Sequence, residues 1–139
     1  MACWLIKEEP THYSFDDLAR DGGTVWAGVT NALALIHIRK MKKGDEAFYY
    51  HTGGEKAVVG LATIASDPYP DPDAGDPKRV VVRVKPVARL PRNVSLAEMK
   101  ANPNLAGFDL LRISRLSVVP VGEAHRREIL RMSRARARP

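Results

Sequence analysis

Three runs of β-branched, aromatic and small residues follow one another through the middle of the chain: "EAFYYHT" (46–52), "KAVVGLATIAS" (56–66) and "RVVVRVKPVARL" (79–90). Such residues fit a pleated, half-buried surface, and the first two runs are separated only by "GGEK", a glycine-rich connection suited to an antiparallel hairpin. In the third run Val80, Val82 and Val84 share one face, while Val81, Arg83 and Lys85 share the other. Val58, Gly60 and Ala62 offer the small or branched side chains that let a sheet curl. Any fold for this chain has to be built around that curved, mostly antiparallel sheet.

The flanking segments supply short elements. "CWLIK" (3–7) reads as a strand with Trp4 and Ile6 on one side and Leu5 and Lys7 on the other, ended by Pro10. "SFDDLARDGG" (14–23) reads as a helix in which Ser14 accepts a bond from the amide near Asp17 and Gly22 ends the turn. "TVWAG" (24–28) is a second short extended piece, and Asn31 caps a helix from about Ala32 to Lys40. The prolines and aspartates of "DPYPDPDAGDPK" (67–78) predict an exposed loop. Ser95 and Glu98 form a capping-box pair at the head of a brief helix. "SRLSVVPV" supplies a last strand, and "GEAHRREILRMS" a closing helix whose Ala124, Ile129 and Met132 would dock on the sheet edge. His125 is expected to be solvated. The elements together predict an α+β domain built on a small curved barrel flanked by short helices.

At 139 residues the chain fits one domain with a real core and no need of a metal or disulfide. We place its main domain at residues 1–133 and a basic C-terminal tail at 134–139. The single Cys3 makes no internal disulfide, and a reducing cytoplasm is the expected compartment. The opening "MACWLIKEEP" reaches Lys7, Glu8 and Glu9 too soon for a signal peptide, and no segment approaches membrane-spanning length. A soluble protein without membrane attachment, in the monomeric state, is expected.

The formal charge of +6 is unevenly spread. Residues 1–111 hold 14 lysines and arginines against 14 acids, and residues 112–139 hold 8 arginines against 2 glutamates. A segment ending "RMSRARARP" would attract phosphate backbones through counterion release, which makes Arg131, Arg134 and Arg136 candidate nucleic-acid contacts. A solvated tail without a partner is the competing reading.

Catalysis has little support in the residue pattern. No G-x-S-x-G nucleophile motif occurs, and His12, His37, His51 and His125 show no metal-ligand spacing. "GGEK" lacks both the first glycine of a phosphate loop and the hydroxyl residue after its lysine. No enzymatic activity, cofactor or metal is therefore expected. A flat ligand fits better: Trp26 precedes Gly28, which lets a guest or another backbone come close, and Asn31 offers amide donors and acceptors. Lys7, Tyr50 and His51, at strand ends, would complete the walls. Each also has a plainer explanation, with Trp26 as core, Asn31 as a helix cap, Tyr50 as sheet packing and His51 as a strand-end residue.

Four segments carry a resemblance. "WLIKEEPTHYSFDDL", "VWAGVTNALA", "MKKGDEAFYYHTG" and "AVVGLATIASDPYPDP" resemble the EVE domain family, in order, from Trp4 to about Leu116. The resemblance implies a PUA-like fold, a small curved β-barrel flanked by helices and related to the YTH readers of methyladenosine. It also implies non-enzymatic binding of a modified base in DNA, notably 5-modified cytosine, flipped into an aromatic pocket. Carried over, the W-x-G-V-x-N motif is Trp26, Gly28, Val29 and Asn31; the opening-strand lysine is Lys7, and the closing pair is Tyr50 and His51. Many relatives have arginine before the asparagine, where this chain has Thr30. An RNA-binding module and a sensor of a small nucleobase-like molecule are the alternatives.

Overall fold

The computed structural model describes residues 1–135. The three central runs become strands β3 (Glu46–His51), β4 (Ala57–Ile64) and β6 (Val80–Ser95), the last of 16 residues. With β1 (Cys3–Glu8), β2 (Thr24–Trp26), the two-residue β5 (Tyr69–Pro70) and β7 (Val118–Val121) they form one sheet in the order β2-β6-β4-β3-β1-β7, β5 pairing with β6. All pairs are antiparallel except β1 with β3. The expected exposed loop at 67–78 thus contains a short strand: two residues at an edge need few ladder bonds, so even Pro70, one of the two, does not prevent it.

The sheet curls because its longest strands slip against each other. The register shifts at Tyr49/Tyr50 between β3 and β4, and again after Val58 and Leu61 between β4 and β6. Each irregularity bends the strand and increases the local twist. Gly60 lies among them, and the ring of Phe15 sits so close that a Cβ on Gly60 would collide with Phe15 Cε1. The glycine is where the helix-borne ring enters the curl.

Curling also buries both faces of β1. Trp4, Leu5 and Ile6 are all buried, so the simple two-sided alternation expected for this strand gives way to a fully packed one. Helix α3 (Ala32–Lys40) packs on both β6 and β7, across the open side of the half-barrel. Asp45 fastens this corner: its carboxylate accepts from the Trp4 indole N–H at 3.0 Å, the Lys42 amide at 2.9 Å and the Ala2 amide at 3.1 Å.

Local signals set the helix boundaries. Helix α1 (Pro10–Tyr13) starts at a proline, and α2 (Phe15–Asp21) has a reciprocal cap between Ser14 and Asp17 before Gly22 at φ 73°. The same device, Ser95 with Glu98, opens α4 (Leu96–Lys100). A 3-10 turn at Pro103–Leu105 and α5 (Asp109–Arg112) lead to β7. Helix α6 (Glu123–Arg134) docks through Ile129 and Met132, whereas Ala124 is exposed. Arg126 ties α6 to Glu46 with bonds of 2.7 and 3.1 Å, and Arg92 donates to the Met132 carbonyl at 2.8 Å. His125 is half-buried, 5.3 Å from the Phe108 ring, not solvated as expected: the apolar turn before α5 reaches up to cover it.

Candidate functional site

The sequence-predicted ligand residues fall into two groups. Trp26 ends β2, opposite Val82 of β6, and its indole meets Tyr49 edge-to-face at 5.6 Å between ring centres. The residue is only 7% exposed, so its ring is not the open plate that the sequence suggested. The physical reason is the curl, which brings Tyr49 of β3 against the inner face of β2. The indole N–H has no hydrogen-bond partner among the described residues and is not wholly buried.

Beyond Trp26 the chain turns through exposed residues. Gly28 takes φ 80° with empty space where a side chain would point, which suits glycine. Val29 is half-buried against the core. Asn31 caps α3, its carbonyl oxygen accepting the Ala34 amide at 3.0 Å, so only its NH2 group is left for a guest. Thr30 lines a surface cavity of about 300 Å³ with Arg39, Lys78 and Arg79 and one acid, Asp76. Those three cations converge from α3 and the 67–79 connection. Sequence missed them because nothing local links the loop's basic end to the last turn of α3, which carries Arg39.

His51 does not join this group as a reading side chain. It is 3% exposed; its Nε2 accepts the Phe15 amide at 3.0 Å, and its Nδ1 lies 2.9 Å from a Glu55 carboxylate oxygen. An Nε2 that accepts must be unprotonated, so Nδ1 carries the proton and donates to Glu55. Both ring nitrogens are committed, and the residue fixes helix α2 to β3.

Lys7 and Tyr50 lie elsewhere. They are register partners across β1 and β3 and line a second cavity, of about 340 Å³, with Thr52, Lys56, Lys100 and Leu110. The Lys7 ammonium donates to the Ser114 carbonyl at 3.0 Å and sits 5.9 Å from the centre of the Tyr50 ring. Burial lowers its pKa. Trp26 lines none of the described cavities.

The C-terminal arginines are less available than their number suggested. Arg131 pairs with the buried Glu128, which also accepts from Asn104 at 2.7 Å. Arg126 and Arg127 pair with Glu123 as well. Arg134 is exposed, and Arg136 lies outside the described residues. Helical spacing of three and four explains the loss: each acid of α6 sits one turn from an arginine.

A family model for the EVE domain matches residues 2–132, almost the whole chain. The chain belongs to the EVE domain family. Human thymocyte nuclear protein 1 is 33% identical over 124 residues, covering 70% of this chain and 55% of the human protein, so the EVE chain spans about half the length of that relative. Among solved structures, Rpa0253 from Rhodopseudomonas palustris superposes with a TM-score of 0.91 at 41% identity, covering 96% of this chain and 93% of that one. Human THYN1 in complex with DNA containing 5-methylcytosine superposes with a TM-score of 0.90 at 27% identity, covering 99% of this chain and all of that one. The fold of this EVE domain is the PUA-like curled half-barrel that the resemblance implied.

Proposed function

We propose that this EVE domain is a non-enzymatic binding module for DNA that carries a 5-modified cytosine. The observation that carries the reading is the superposition, over 99% of the chain, on a human relative solved with 5-methylcytosine DNA. The local geometry supports it: an indole N–H without a partner among the described residues, a left-handed glycine with free space beside it, and an uncommitted amide NH2 lie between Trp26 and Asn31. Arg39, Lys78 and Arg79 stand where Thr30 replaces the arginine usual in relatives, and they supply the charge for the neighbouring phosphates. The commitment of both His51 nitrogens to the fold argues against that residue as an acid or base.

A base leaving the duplex costs a few kcal/mol, which stacking of about 1–3 kcal/mol and edge hydrogen bonds must offset. For a base to lie flat on Trp26, the ring, only 7% exposed and packed against Tyr49, has to be uncovered. A methyl group entering an apolar recess adds on the order of 1 kcal/mol, so preference for the modified base should be several-fold rather than absolute.

Fluorescence titration with duplexes that differ in a single cytosine, unmodified or 5-methylated, tests the proposal. Tighter binding of the methylated duplex, reduced by Asn31→Ala, is expected; equal affinity for both, unchanged in the variant, refutes it. Matched RNA strands form the control arm, and preference for them would transfer the reading to RNA.

A further inference from the structure

The cavity beside Lys7 and Tyr50 is distinct in its chemistry. Its lining joins Tyr50, Leu96 and Leu110 with three lysines, Lys7, Lys56 and Lys100, and includes no acidic residue. None of the three lysines has a carboxylate within ion-pair distance among the described residues. Unpaired cations facing one hollow repel each other, and Lys7 is partly desolvated as well, so the arrangement lowers its energy when an anion enters.

Lys56 adds a backbone observation. At φ 45° it is the only non-glycine residue with a positive φ among the described residues, and its carbonyl accepts the Leu96 amide at 2.8 Å. That bond pins the hairpin connection between β3 and β4 to the start of α4, on the wall that also carries Lys100. A residue without β-branching tolerates this conformation at some cost, and such costs collect where a side chain must be aimed.

We infer that this cavity is a seat for the phosphate of a nucleotide, with the ring or sugar resting on Tyr50 and the leucines and the phosphate oxygens held by Lys7, Lys56 and Lys100. A volume of about 340 Å³ accommodates such a group, and a purely apolar guest would leave three ammonium groups unneutralised. The phosphate belongs either to a free nucleotide or to a strand. The inference does not rest on base reading at Trp26, which lines none of the same cavity.

Isothermal titration of the full chain with cytidine, cytidine 5′-monophosphate and a short single-stranded oligonucleotide tests it. The monophosphate or the strand should bind at least about tenfold tighter than the nucleoside, and the double variant Lys56→Gly/Lys100→Ala should lose about that factor. Glycine adopts the backbone of position 56 without strain, and Lys100 is exposed, so the melting temperature should hold. Lys100→Glu alone, with a loss of similar sign, serves if the double variant is unstable. Binding of the monophosphate assigns the seat to free nucleotides, and binding of the strand alone assigns it to a polymer backbone. Equal binding of nucleoside and nucleotide, no binding of either nucleotide or strand, or binding indifferent to the lysine variants overturns the inference. A 5-methyl group on the ligand should change nothing here, which separates this outcome from that of the modified-cytosine titration.

Discussion

Trp26 serves the fold before it serves any ligand. With its ring packed edge-on against Tyr49 and 7% exposed, Trp26→Ala should cost roughly 3–5 kcal/mol, as for other large-to-small core substitutions, and loss of DNA binding in that variant would say little. Trp26→Phe should keep most of the stability in urea denaturation while lacking the indole N–H, and its binding is therefore the informative measurement. Local sequence placed Asn31 at the cap of α3, and the structure agrees, because a cap is decided by its own next three residues. It left Trp26 open between core and ligand plate, and it did not foresee the burial of His51. Tyr49 meets Trp26 and Phe15 meets His51 from distant segments, which only the fold brings together, whereas Glu55 reaches His51 from the adjoining hairpin turn.

Elements were largely legible where their boundaries are written locally. The reciprocal caps at Ser14 and Ser95 and the hairpin through Gly53 and Gly54 needed no tertiary information. The register shifts of β4 were not legible, since a bulge depends on what packs against the strand; Gly60 shows the dependence. Gly60→Ala should force Phe15 out of position and lower stability by about 1–3 kcal/mol, an overpacking cost that Phe15→Leu partly relieves in a double-mutant cycle. The corner at Asp45 makes a prediction about pH. Burial by itself raises this carboxyl's pKa, but the bonds from the Trp4 indole and the Lys42 and Ala2 amides outweigh it and hold the value below that of an ordinary aspartate. A folded value below the unfolded one means that the stabilisation is complete above the unfolded pKa and is lost as pH falls through the folded one, from roughly pH 4 downward. Thermal melts should show Asp45→Asn less stable than wild type at neutral pH, with the difference shrinking in acid.

At the scale of the whole molecule, the distribution of charge decides how nucleic acid is approached. Counting arginines along the chain pointed to the C-terminal segment, but α6 spends several of its guanidinium groups on its own glutamates and on Glu46. Arg39 is brought to the adjacent Lys78 and Arg79 only by the fold. Replacing all three by glutamine should reduce the slope of log affinity against log salt by about 0.9 per lost phosphate contact on duplex DNA, whereas Arg131→Gln should leave the slope nearly unchanged. Filter binding across a salt series distinguishes the two.

Strand β1 lies between β3 and β7, so one of its neighbours is made early in synthesis and the other close to the end. Until Val118–Val121 emerges from the ribosome, the nascent chain carries a strand rich in tryptophan, leucine and isoleucine with one flank bare, an invitation to pair with another copy. Premature termination ahead of β7 should therefore yield aggregates instead of a smaller folded unit.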